Sequence, residues 1–347
     1  MPLLIRAEDV NGLLTMEEAI DAVEAGFRAW GKSPELNSPR KRIMTPEGVR
    51  VSVHPGGIPA LGAIGVLAHS EHVAVSKEVQ TYHNMGGPVT VLFDTRDASL
   101  MAVLVGRIGL KDLAPERPTP IRTAATSAVG TRWLAPRSAK TLGILGAGGE
   151  AKYHLLALST VRTFQAVYVY CRTESTRHEF CRLMQPLVSC DVKAANSARE
   201  AVEGADVLLT ATNSNVPVFS GEWLRKGAHV TSIMGGNVGL VRAGVAAATR
   251  RELDDTTIQR ADVIVVNSRE QAIQDEQGDL YEPVQKGILT WDRVGELGAL
   301  LNGMIPGRTS NQQTTLFKNN AGQGVADVAV ASLVYSVARK NGIGMEF

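Results

Sequence analysis

One stretch restricts this chain more than any other. In Leu142-Gly-Ile-Leu-Gly-Ala-Gly-Gly-Glu-Ala151 a short apolar run meets Gly146-x-Gly148-x-x-Ala151 and then helix-forming residues. Gly146 permits a tight turn, Gly148 lets the backbone approach a pyrophosphate, and the small Ala151 lets helix and strand pack closely. The phosphates then sit on the N-terminus of the helix that Gly149 and Glu150 open. Alone, such a pattern also describes a plain strand-to-helix turn. The alternation around it favours dinucleotide binding: strands over Thr141–Leu145, Ala166–Cys171, Asp206–Thr210, His229–Met234 and Asp262–Asn267 are separated by helices. Repeated βα units predict a parallel, doubly wound sheet.

The dinucleotide is chosen at the end of the second strand, where an acidic residue would hold the ribose 2′-hydroxyl of NAD. This chain has Tyr170-Cys171-Arg172-Thr173, with Arg177 one turn on and no carboxylate until Glu174. A guanidinium and a hydroxyl suit a 2′-phosphate through charge-assisted hydrogen bonds, so NADP(H) is favoured and NAD(H) stays open. The alternative is a solvated Arg172. Thr210, Ala211 and Thr212 follow a buried strand at its carboxyl end, where sheet topology puts ligands; a plain polar loop is the other reading.

Outside this region the texture differs. Met16, Ala19, Ile20, Val23, Phe27 and Trp30 recur at helical spacing, behind a capping box of Thr15 and Glu18, and predict a helix from about Met16 to Trp30. Short apolar runs cut by Pro and Gly, among them Val51–Val53, Gly62–Ala68 and Val89–Phe93, predict a sheet. A loop from Lys111 to Pro120 leads into a helix over Ile121–Leu134. After Arg308 the βα alternation stops, and a last helix from about Asp327 to Lys340 is expected to cover the N-terminal domain.

Composition excludes several functions. Lys and Arg total 36 against 35 Asp and Glu, and without a basic block neither nucleic acid nor an anionic membrane is an expected partner. The longest uncharged stretch, Val51 to Ser70, is broken by Pro55, Pro59 and four glycines, which no membrane span tolerates in that number. The N-terminus meets Arg6, Glu8 and Asp9 too early for a signal peptide. Three cysteines without metal spacing point to no metal and a cytoplasmic setting.

The chain resembles the ornithine cyclodeaminase/mu-crystallin family. Pro120-Ile-Arg122-Thr-Ala-Ala-Thr126, Gly143-Ile-Leu-Gly-Ala-Gly148, Gly204-Ala-Asp-Val207, Gly221-Glu-Trp-Leu-Arg-Lys-Gly-Ala-His-Val230 and Gly322-Gln-Gly-Val-Ala-Asp-Val328 carry the likeness, in the family's order. The resemblance implies an α/β protein: a Rossmann-type dinucleotide domain at 121–309, and an α+β substrate and dimerisation domain built from both chain ends, 1–120 and 310–347. It implies a homodimer with the active site in the cleft between the domains. It also implies chemistry at a C–N bond beside a carboxylate, with hydride moved to or from nicotinamide.

Residue by residue, Arg122 matches a clamp for the substrate carboxylate and Thr123 a phosphate contact. A planar fork suits a carboxylate, and an unpaired Arg at a helix N-terminus would call for an anion. The alternative for Arg122 is a structural Asp or Glu partner. Arg42 best matches a second substrate arginine, with Arg40 as competitor. Two positions depart from the family: Leu67 stands where a lysine is usual, and Asn237, in the substrate set, stands where cyclodeaminases carry an acid, followed by an insertion before Glu252. Asn is no general base. Replacement proton donors are His69, His72 or Lys77. Asp327 matches an acidic residue near the cofactor or is a helix cap.

These residues point first to an NADP(H)-dependent oxidoreductase acting on an α-imino or α-amino acid: a ketimine or cyclic imino acid reductase, or an amino acid dehydrogenase. A cyclodeaminase-type lyase with tightly bound NAD and a crystallin-like binding protein are the alternatives.

Overall fold

The computed structural model describes residues 1–75, 80–83, 87–110, 113 and 121–347. Lys77 and most of the expected Lys111–Pro120 loop lie outside the described residues. The chain forms two compact units. The first is Met1–Ala74, Tyr82–Thr126 and Gly322–Phe347; the second is Val75–Thr81 and Ser127–Ala321.

In the first unit a mixed sheet runs, in spatial order, through Leu3–Arg6, Leu100–Val105, Val89–Asp94, Ala63–Val75, Val49–Ile58 and Lys41–Met44. Its hairpins are antiparallel, while Leu3–Arg6 joins Leu100–Val105 in parallel. Alternation splits its side chains between two faces. Arg50, Ser52, His54, Thr90, Leu92, Ala102 and Leu104 are buried on one; Val49, Ile64, Val89, Phe93 and Val105 are exposed on the other. Helix Met16–Lys32 packs against the buried side through Ile20, Val23 and Phe27, with both halves of the Thr15–Glu18 capping box formed. The C-terminal helix Gly324–Asn341 packs on the same helix and on Val49–Ile58. It begins earlier than expected, and its first two turns are buried all round. There Gly324 meets Gly56: a Cβ on Gly324 would lie 1.9 Å from the Pro55 carbonyl oxygen, so only glycine fits.

The second unit holds an all-parallel sheet of eight strands. In chain order these are β1 (Thr141–Leu145), β2 (Ala166–Tyr170), β3 (Asp191–Ala194), β4 (Val207–Thr210), β5 (His229–Ser232), β6 (Val263–Val266), β7 (Val294–Glu296) and β8 (Thr315–Lys318). Across the sheet the order is β3-β2-β1-β4-β5-β8-β6-β7, so the strand sequence reverses at β1 and β4, the doubly wound arrangement. The placement of β8 corrects the sequence reading, in which the pattern ended at Arg308 and 310–347 went to the substrate domain. Thr315–Lys318 is short, fully buried and paired on both sides, so it shows none of the period-two alternation that marks a half-exposed strand.

Candidate active site

In the first unit the strand registers gather polar groups on the buried face of the sheet. Arg42 pairs with Ser52, and Ser52 with His69; one step along, His54 pairs with Leu67. Directly opposed residues share a face, so these five side chains form two adjacent rows, with the ion pair of Arg50 and Glu71 in the next row. The rings of His54 and His69 meet edge to face, centroids 5.4 Å apart.

Asp327 joins this group from the C-terminal helix. Its fully buried carboxylate accepts 2.6 Å from Arg122 Nε and 2.9 Å from His54 Nδ1. This corrects one of the two readings of Asp327, because the helix N-cap is Gln323 and the carboxylate caps nothing. Of the two readings of Arg122, the structural acid partner is present in Asp327. The pairing nevertheless leaves part of the fork open. Nε is spent on Asp327 and one Nη1 proton on Thr123, while Nη2 makes no bond among the described residues.

Burial pushes the His54 imidazole down in spite of the Asp327 hydrogen bond, with the charges of Arg122 and Arg40 adding to the effect. Burial, with His54 beside it, pushes His69 down to about 4. Both rings are therefore neutral near pH 7. Burial would raise Asp327, but the charge of Arg122 and the bond from His54 hold it below the usual carboxylate range. A carboxylate accepts only, so His54 carries its proton on Nδ1 and turns a lone pair outward at Nε2. That Nε2 is buried and unpartnered among the described residues, as is the Ser52 hydroxyl. These two atoms on adjacent rows leave hydrogen-bonding capacity unused on the buried face of the sheet. The two arginine candidates separate: Arg40 lies over His54 and Gly322, while the charge of Arg42 acts on Glu71. His72 lies apart and bonds the Glu47 carbonyl.

In the second unit Gly146 takes φ +113°, and a Cβ there would strike the Ala211 carbonyl oxygen at 2.2 Å. Beside Gly148 a Cβ would meet nothing within 4 Å. Helix Gly149–Val161 starts without a side-chain cap, and its first N–H groups, from Gly149 to Ala151, have no intrahelical acceptor. An open hollow beside uncapped N–H groups fits a pyrophosphate. Arg172 and Thr173 are exposed at the end of β2. Arg177 is tethered, donating to the Cys171 carbonyl and lying 5.5 Å from the Tyr170 ring centre.

The threonines at the end of β4, Thr210 and Thr212, are held by a residue that sequence reading did not assign. Glu252, fully buried, accepts from Thr210 Oγ1 at 2.9 Å, from the Thr212 backbone N–H at 2.7 Å and from the Thr212 hydroxyl. Asp279 takes the N–H groups of Glu252 and Leu253 and pairs with the buried Lys318 at 2.7 Å. Asn237, expected in substrate binding, is instead turned into its own loop: Oδ1 accepts from Arg250 N–H and Nδ2 donates to the Ala248 carbonyl. An inserted loop needs such closure, and a buried Asn amide supplies both partners. Among the described residues no group of three His, Cys, Asp or Glu is placed to hold a metal, and no helix is long and apolar enough to cross a membrane.

Comparison with known proteins adds to this geometry. The model of the ornithine cyclodeaminase/mu-crystallin family matches residues 2–342. Delta(1)-pyrroline-2-carboxylate reductase of Bacillus cereus is 30% identical over 99% of this chain and 98% of its own. Ketimine reductase mu-crystallin of Macropus fuliginosus is 31% identical over 96% of each. Among solved structures, Thermococcus litoralis Delta(1)-pyrroline-2-carboxylate reductase in complex with NADH and L-proline superposes with a TM-score of 0.81 at 27% identity, covering 99% of this chain and 100% of that one.

Proposed function

The chain belongs to the ornithine cyclodeaminase/mu-crystallin family, and from that premise we propose that it is an NADP(H)-dependent reductase of cyclic or open-chain ketimines bearing an α-carboxylate. The observation that carries this reading is the cluster of Arg122, His54 and His69, in which one guanidinium is fixed by a buried acid with an edge left open, beside two neutral imidazoles. The open edge of Arg122, with Arg42 or Arg40, grips the carboxylate.

The glycine turn, Arg172 and Thr173 hold the dinucleotide, whose nicotinamide, when bound, supplies hydride to the imine carbon. Reduction needs less from this chain than cyclodeamination does. A ketimine in its protonated, iminium form brings its own N–H proton. Neutral His69 or His54 accepts a hydrogen bond from it and orients the C=N bond. Leu67, opposite His54, adds no competing positive charge where the family's lysine would stand. The lyase reading requires an acid at position 237, and the amide there is committed to the loop.

The deciding assay follows NADPH oxidation with Δ1-pyrroline-2-carboxylate, Δ1-piperideine-2-carboxylate and pyruvate plus methylamine. Turnover with at least one is expected. Tight NADPH binding with no turnover of any would replace this reading with that of a binding protein. The reading includes a homodimer formed through the exposed apolar face of Ile64, Val89 and Phe93, and a cytoplasmic setting in keeping with three free thiols.

A further inference from the structure

The second unit has a cavity of about 790 Å³ whose walls include Arg132, Arg137, Arg162 and Arg308, with Trp133 and Asn311 between them, and no Asp or Glu. It lies at the amino ends of the strands. Arg137 precedes β1, Arg162 precedes β2, and Arg308 precedes β8, whereas the glycine turn stands at the carboxyl end of β1. The cavity is thus separate from the dinucleotide site.

Two of the arginines build its floor. Arg162 donates to the carbonyls of Thr131, Arg132, Ala135 and Pro136, at 2.8–3.2 Å, and so closes the last turn of helix Ile121–Leu134. Arg308 donates to the carbonyls of Leu134, Gln313 and Ala228. Carbonyls satisfy their protons but do not neutralise their charge. Neither Arg162, Arg308 nor Arg137 forms an ion pair among the described residues. Burial and the charge of Arg162 push Arg308 down to about 10, with Asp262 opposing, and Arg162 is pushed down by burial and by Arg137 and Arg132. Three arginines without an ion pair among the described residues, with Arg132 beside them, thus line a concave wall that carries no Asp or Glu, and the wall is cationic. Arg137 is exposed and unpaired, and the exposed Trp133 ring beside it offers a flat surface at the rim.

We propose that this cavity is a binding site for a small polyvalent anion bearing phosphate groups, distinct from the cofactor site. The fork of Arg137 matches phosphate oxygens, Arg162 and Arg308 add charge with their protons spent on carbonyls, and a ring carried by the ligand could stack on Trp133.

The test is calorimetric titration of the full-length protein with inorganic pyrophosphate and with ATP, in saturating NADPH so that the glycine turn is filled, with sodium sulfate at equal ionic strength as control. Wild type is expected to bind at least one of the two. Arg137→Glu, which removes no internal bond, should weaken binding at least tenfold, the loss of one charge-assisted contact. Gly148→Val, which blocks the dinucleotide turn, should leave it unchanged. Tighter binding of ATP than of pyrophosphate that is lost in Trp133→Ala assigns the ligand an aromatic ring; equal binding assigns the phosphate alone. No heat with millimolar probe, equal displacement by sulfate, or binding abolished by Gly148→Val and kept by Arg137→Glu would overturn the proposal. The test requires no turnover, so it stands apart from the reductase reading.

Discussion

Replacing Arg122 by Leu should damage the fold as well as the chemistry. The partner left behind is the Asp327 carboxylate, fully buried, with only His54 Nδ1 still bonded to it. At a charge separation of about 4 Å and an effective dielectric constant of about 20, the lost attraction is about 4 kcal/mol. Stranding one partner of a buried pair costs about 3–5 kcal/mol in general. Because His54 remains, we expect the lower end, about 3 kcal/mol. The assay is urea unfolding of Arg122→Leu, Asp327→Asn and the double variant, read as a cycle. The double variant should recover much of the single losses, since neither charge is then left alone. Arg122→Lys separates fold from function: it keeps a cation near Asp327 and so most of the stability, but loses the planar fork. Its kcat/KM should fall about ten- to a hundredfold with any active ketimine. Arg122→Leu stability within about 0.5 kcal/mol of wild type, the range of unremarkable surface changes, would refute the argument.

Arg172→Ala should weaken NADPH binding about ten- to a hundredfold and leave NADH unaffected, measured by calorimetry; equal NADPH affinity would sink the 2′-phosphate assignment. His69 and His154 are each held near pH 4 by burial, below the value of about 6.5 in the unfolded chain, so each stays neutral in the fold and its contribution is complete above about pH 6.5. Stability should then fall by about 3 kcal/mol per histidine as the pH drops from 6.5 to 4, and a flat melting temperature over that window would contradict the burial argument. Glu252→Gln puts an amide donor where four protons converge, from Thr210, Ser232 and twice from Thr212, so it should raise the KM for NADPH while kcat at saturating cofactor holds; a drop in kcat alone would exclude a role in shaping the threonine loop. Phe93→Glu should turn a dimer into a 37.1 kDa particle in light scattering; a wild type that is already monomeric removes the proposed interface.

What could be read from the sequence was local. The capping box, the glycine turn and five of the eight parallel strands depend on residues within a few positions of one another. Arg50, Ser52 and His54 alternate at period two with the valines between them, and that alternation places a histidine on the inner face. The remaining features are contacts between distant residues. Asp327 meets Arg122 and His54, and Glu252 meets Thr212 across the inserted loop; no spacing rule links such positions. β8 escaped notice because a strand buried on both faces carries no alternation.

The close meeting of Gly56 and Gly324 bears on how the protein is made. About three quarters of the chain separates them, and at about 5–20 residues per second a ribosome takes tens of seconds to travel from one to the other. At the end of that interval the sheet carrying Ser52, His54 and Leu92 has been synthesised but lacks the second of the two helices that pack on it, whereas the second unit, already complete at Ala321, has all its strands. The nascent protein should therefore acquire its dinucleotide half first and its imidazole-lined half last, and binding of NADPH should become detectable before any turnover on ribosome-bound chains stalled between these stages.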